Sequence, residues 1–138
     1  MTLGERIAAE ALGLVGVPFR LHGQTENSGL DCVGLAALAM RRAGASLGAL
    51  PVYRIRGMGL ARVETLLRAA GLKPAAGNHP GDILVCESGA MQLHLMIATN
   101  EGCVHAHAGL GRVVLMPAPG PWPLLGQWRG VEHRGEAG

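Results

Sequence analysis

The sequence predicts an α+β domain, with helices first and antiparallel strands second. Three observations carry this. Up to about residue 70, apolar residues recur at helical spacing. After Pro74 they gather into short runs separated by turn residues. Glycine, at 22 of 138 residues, is about twice its usual share and supplies tight turns between short elements. The 138 residues are the length of one domain, so 1–138 is read as a single unit. Such a chain buries roughly two-thirds of its unfolded surface, enough for a core without staples.

The first helix is expected over 2–15. Thr2 and Glu5 have capping-box spacing, and Leu3, Ile7 and Leu14, with Ala8, Ala11 and Val15, form one apolar stripe. Gly16-Val17-Pro18 ends it, and residues 20–30, rich in Gly, Asn, Ser and Thr, read as a loop. Cys32 to Ala43 reads as a largely buried helix. Gly44 closes it, and Arg41 and Arg42 suit the negative end of its dipole. A connection through Pro51 and Tyr53 leads to a third, short amphipathic helix over 59–70, on Val63, Leu66, Leu67 and Ala70 and stopped by Gly71. Pro80-Gly81-Asp82 is a turn. The runs 83–86, 93–98, 102–107, 112–116 and 127–132 read as strands, with Asn100-Glu101-Gly102 marking a hairpin.

Composition excludes several classes. The net charge is only +2, and eleven of the twelve basic residues are scattered arginines, with only Arg41 and Arg42 adjacent. Just four aromatics (Phe19, Tyr53, Trp122 and Trp128) leave no platform for base stacking, so nucleic acid is not an expected partner. No run of about 18 uncharged apolar residues exists, so no membrane span is expected. Glu5, Arg6 and Glu10 interrupt the first apolar residues before a signal-peptide core can form, and synthesis in the cytoplasm is expected. Three cysteines cannot all pair, so at least one thiol stays free.

Chemistry concentrates in a few positions. Asp31-Cys32 stands where a Gly-rich loop enters a helix. A cysteine in a first helical turn feels the macrodipole and unpaired amides, which favour thiolate and can hold an oxyanion. Cys32 is therefore a candidate nucleophile, against the alternative of a small buried residue capped by Asp31. His94 lies on a strand whose alternation puts residues 92, 94 and 96 on one face. His105 and His107 share a face of the next strand with Cys103. A two-residue loop at Asn100-Glu101 sets His107 opposite His94 and His105 on the diagonal. A four-residue loop sets His105 opposite. Either way a histidine can stand beside a histidine, as a base and its orienting group require. The alternative is strand histidines satisfied by a carbonyl or by solvent.

Cys103-x-His105-x-His107, with His94 and Cys32, also offers ligands that zinc accepts, but it lacks the usual C-x₂-C or H-E-x-x-H spacing, and no cofactor is expected. Cys86 reads as core. His22, His79 and His133 read as solvated, with His22 close enough in sequence to Cys32 to line a pocket. Trp122, flanked by Pro121 and Pro123, and Trp128 read as packing on the sheet, with ligand stacking as the alternative.

In order, these pieces resemble the NlpC-type cysteine peptidases, papain-like enzymes that cut peptidoglycan stem peptides. The matching runs are Gly16-Val-Pro-Phe-Arg20, Gly29-Leu-Asp-Cys-Val-Gly-Leu35, Pro80-Gly-Asp-Ile-Leu84, His94-Leu-Met-Ile97 and Val104-His-Ala106, spanning about residues 3 to 131. The nearest likeness is to the short phage-tail and gene-transfer-agent branch. The resemblance implies N-terminal helices on an antiparallel sheet or half-barrel of five to six strands. It also implies Cys32 as nucleophile, His94 as general base and His105 as its orienting partner, with His107 the competing choice. Phe19, Arg20, His22, Asp31 and His107 are the expected substrate-side residues, and Arg20, Arg54 or Arg56 could meet a diamino-acid carboxylate. The expected substrate is a stem peptide cut near its D-Glu–diamino acid bond, and tail-tip proteins are possible partners. An amidase or acyltransferase on the same scaffold, or a non-catalytic tail component, are the competing readings. Many relatives carry Tyr where Phe19 stands, with its hydroxyl near the oxyanion site; loss of one such donor costs on the order of a hundredfold in rate.

Overall fold

The computed structural model describes residues 1–50, 57–90, 92–118 and 120–132. Pro51, Tyr53, Arg54, Arg56 and His133, named above, lie outside them. Helix α1 (Leu3–Gly13) begins with the expected capping box: the Glu5 N–H donates to Thr2 Oγ1 at 3.1 Å and the Thr2 N–H to Glu5 Oε1 at 2.8 Å. Its stripe buries Ile7, Ala8 and Ala11, with Leu14 at the cap. Val15 falls past the helix end and stays exposed.

The stretch read as a loop contains a miniature hairpin, β1 (Gln24–Thr25) with β2 (Gly29–Leu30). Polar turn residues hid these two-residue strands, whose pairing is set by tertiary contacts. Leu30 is fully buried, and its N–H donates to the Pro18 carbonyl at 3.0 Å. Helix α2 (Cys32–Ala43) is capped by Asp31, ends on Gly44 at φ 93°, and buries eight of its twelve residues. Gly34 is required there because a Cβ would collide with the Gly23 carbonyl oxygen. After β3 (Ala45–Ser46) comes α3 (Leu60–Ala69), which buries Val63 and Leu67.

The second half is the predicted antiparallel sheet. Strands β4 (Lys73–Pro74), β5 (Ile83–Gly89), β6 (Gln92–Thr99), β7 (Gly102–His107), β8 (Arg112–Met116) and β9 (Leu124–Arg129) form one six-stranded sheet in the order β4-β9-β5-β6-β7-β8. The run read as one strand over 127–132 divides at Gly130. There β9 ends, and β10 (Val131–Glu132) crosses to pair with β3. Helices α1 and α2 pack on each other and on β6, enclosing Ile83, Val85, Leu95, Ile97, Val104 and Val113. At the turn into β5, Asp82 is buried and accepts from Arg129 Nε at 2.9 Å, Arg129 Nη2 at 2.8 Å and Gln127 Nε2 at 2.7 Å, locking β9 to the start of β5.

One feature of the sheet makes the site. The β6–β7 hairpin has the two-residue loop, with Thr99 opposite Gly102, and its register ends at Ile97 opposite Val104. Beyond that point β6 stays with β5, whereas β7 stays with β8 as far as His107 opposite Arg112. The sheet opens between β6 and β7, and the first turn of α2 faces the opening.

Candidate active site

A cleft of about 480 Å³ lies at this opening, within the range that holds a small ligand or a short peptide segment. Cys32, His94, His105, His107, Phe19 and Asp31 line it, joined by Trp122, for which ligand stacking is the alternative to sheet packing, and by Ser88 and Gln92, which no sequence signal places there. Arg20 and His22, expected on the substrate side, are not among its lining residues; both are exposed.

His22 has a different task. It is a non-glycine residue at φ 61°, and its backbone N–H donates to Asp31 Oδ2 at 3.0 Å. The second carboxylate oxygen of Asp31 accepts the Gly34 N–H at 2.7 Å. Asp31 thus fixes the loop with one oxygen and the start of α2 with the other, which sets where Cys32 sits. Phe19 is held just as firmly: its N–H donates to the Gly111 carbonyl at 2.9 Å, and the Arg20 N–H to the Leu30 carbonyl at 3.1 Å.

His94 Nε2 and His105 Nδ1 are 2.9 Å apart, a hydrogen bond between the two rings. The loop is the two-residue one, which on strand register alone sets His107 against His94. The opening of the sheet removes that register before it reaches His94, so the diagonal neighbour, His105, makes the contact. His107 accepts the Leu110 N–H on its Nδ1 at 3.0 Å.

The thiol is not a resting thiolate. Burial pushes the Cys32 pKa up to about 12, and the Asp31 carboxylate adds to the rise. The N–H groups of Leu95, Val33 and Cys32 itself oppose it without overcoming it. The helix-start effect expected from sequence is therefore present but outweighed by desolvation. The Leu95 contribution follows from the opening of the sheet. The Ala98 N–H donates to Asp82 O at 2.9 Å and its carbonyl accepts from Gly81 at 2.7 Å, so even-numbered residues of β6 bond toward β5. Leu95 then points to the opposite edge, where the ladder has ended and its N–H meets the sulfur.

Burial likewise pushes His94 down to about 4, helped by His105 and His107, and His105 down to about 4, helped by His107. At neutral pH the resting site is a thiol beside two uncharged imidazoles.

Cys103 belongs to a separate buried cluster with Cys86 and Met96, and Trp122 packs against that cluster. Among the described residues no three potential ligands converge as a metal site would need. Trp128 lies in the core with the Arg68 guanidinium 5.2 Å from its ring, as the sequence suggested, whereas Trp122 turns into the cleft.

No protein-family model matches the chain, and no curated protein matches it in sequence. Solved structures do match in fold. NlpC1 from Trichomonas vaginalis superposes with a TM-score of 0.67 at 19% identity, over 91% of this chain and 44% of that one. NlpC2 from the same organism gives 0.66 at 19%, over 92% and 48%. The NlpC/p60 domain of the peptidoglycan hydrolase SagA gives 0.61 at 21%, over 94% and 98%. The fold is that of NlpC/p60 domains, and the chain spans less than half the length of the two Trichomonas proteins.

Proposed function

We propose that this chain is an NlpC-type cysteine peptidase that hydrolyses an amide bond in peptidoglycan stem peptides, with the D-Glu–diamino acid bond as the first candidate. The observation that carries the reading is the His94–His105 hydrogen bond of 2.9 Å in a cleft that also holds Cys32 at a helix start. The fold shared with a peptidoglycan hydrolase domain supports the choice of substrate.

The chemistry follows from the residues. His94 takes the Cys32 proton as sulfur attacks the amide carbonyl, and the electron pair of the C=O bond moves to oxygen. The Cys32 backbone N–H steadies that oxyanion. The oxyanion collapses, the C–N bond breaks, and His94 gives its proton to the leaving amine. Water then loses a proton to His94 as it attacks the thioester. Collapse breaks the C–S bond, and the proton returns to sulfur. His105 acts through His94, accepting from its Nε2–H so that the other ring nitrogen is left as the base.

The competing reading is transfer of the acyl group to an acceptor other than water on the same scaffold. It draws on the apolar part of the lining (Phe19, Leu21, Val33 and Leu93). Carriage in a phage tail or gene-transfer-agent particle is the setting that the sequence motifs suggest. Mass spectrometry of a purified muropeptide (L-Ala, γ-D-Glu, diaminopimelate, D-Ala) after incubation identifies the bond. The expected result is one new pair of products, absent with Cys32→Ala. Intact muropeptide, with an added amine or alcohol acylated instead, would favour the transferase.

A further inference from the structure

Three rings meet at near right angles in the cleft. The centroids of His94 and His105 are 5.0 Å apart at 86°, and Trp122 stands 5.6 Å from His94 at 84° and 5.3 Å from His105 at 83°. Trp122 is half-buried, and its ring packs against both histidines while resting on the Cys86–Met96–Cys103 cluster. The prolines on either side, Pro121 and Pro123, restrict the backbone that carries it.

His105 is 0% exposed, and its Nε2 is buried with no hydrogen-bond partner among the described residues. That orphan atom bears on the tautomer. If His105 Nδ1 accepts from His94, the His105 proton sits on Nε2. If Nδ1 donates, His94 becomes the acceptor and its own proton moves to Nδ1, where no base is left. An aromatic π-surface tolerates a neighbouring N–H and repels a bare nitrogen lone pair. The imidazolium formed on His94 during attack would also lie within cation–π reach of the indole.

We propose that Trp122 is a positioning residue. Its indole keeps water off the His94–His105 hydrogen bond and holds His105 as the Nε2–H tautomer that leaves His94 a base. This rests on the hydrolase reading above. The other ionisable groups around the pair are His107, whose ring is 5.5 Å from His105, Cys86, opposite His94 on β5, Cys103, two residues before His105 on β7, and Cys32 and Asp31 in the cleft wall.

Nitrogen-15 NMR of the imidazoles tests the proposal without substrate, on the full chain and on Trp122→Phe and Trp122→Leu. The wild type is expected to carry its His105 proton on Nε2; a proton on Nδ1 overturns the proposal whether or not either variant folds. In Trp122→Leu the His94 titration should move back toward the ordinary histidine range by about one pH unit or more, with the Phe variant staying near wild type. An unchanged titration and tautomer in the Leu variant also overturns it. On muropeptide, Trp122→Leu should lower kcat about tenfold with KM within about threefold, and Trp122→Phe should restore most of the loss. If the wild type cleaves no muropeptide while the NMR results hold, the substrate reading fails and the role of Trp122 stands.

Discussion

Replacing Asp31 should weaken the fold and at the same time make Cys32 more reactive toward a small electrophile. Its two oxygens accept the Gly34 N–H at 2.7 Å and the His22 N–H at 3.0 Å, and only 9% of the residue is exposed. Alanine removes a helix cap worth about 1 kcal/mol. It also leaves the His22 amide without its acceptor, at about 1–3 kcal/mol. Asp31→Ala should therefore lose about 2–4 kcal/mol in urea unfolding. Asp31→Asn should lose roughly half as much, because its carbonyl still caps Gly34 while its NH₂ faces the His22 N–H. The carboxylate also helps raise the Cys32 pKa, so its removal lowers that pKa. Iodoacetamide labelling of Cys32, followed by peptide mapping at fixed mildly alkaline pH, should run about threefold faster in Asp31→Asn. A stability loss below about 0.5 kcal/mol for Asp31→Ala, or slower labelling of the Asn variant, would refute the reasoning.

Other expectations follow from the same geometry. His94 and His105 are pushed from 6.5 to about 4 in the folded chain, so the unfolded chain binds more protons between those values. Stability should be greatest above pH 6.5 and fall by up to about 3 kcal/mol per histidine as pH drops toward 4. Urea midpoints read this, and the fall should largely vanish in a His94→Gln/His105→Gln double variant. Phe19→Tyr places a hydroxyl in the cleft and should raise kcat on muropeptide about tenfold or more, with a stopped-time product assay as the check. Asp82→Ala strips three hydrogen bonds from Arg129 and Gln127 and should cost about 1–3 kcal/mol by thermal or urea unfolding, leaving the labelling of Cys32 unchanged. Gly34→Ala should cost about 2–4 kcal/mol, because the new methyl meets the Gly23 carbonyl and Asp31 Oδ1.

The larger elements were legible because their signals are local. The Thr2–Glu5 box, the Asp31 cap and Gly44 bound two helices almost to the residue, and strand alternation located β5 to β8. Hidden from the sequence were features decided by distant contacts. The strands β1 to β4 are two residues each, too short for a period to show. Within the site, face and register brought His94 and His105 near each other. Their actual contact depends on where β6 and β7 separate, and no residue in the hairpin announces that. Trp122 looked like any sheet-packing tryptophan, because the turn that swings it into the cleft leaves no periodic trace. The Cys32 thiol departs from the sequence expectation for a related reason: a helix start is visible in sequence, and the desolvation that overrides it is not.

The central claim is that Cys32 carries the acyl group. Acid quenching of the protein during turnover of muropeptide, with peptide mapping of wild type and Cys32→Ala side by side, tests it most directly. The account predicts a stem-peptide acyl mass on the Cys32 peptide of the wild type and no product from the variant. Product accumulating at the wild-type rate with Cys32→Ala would contradict it.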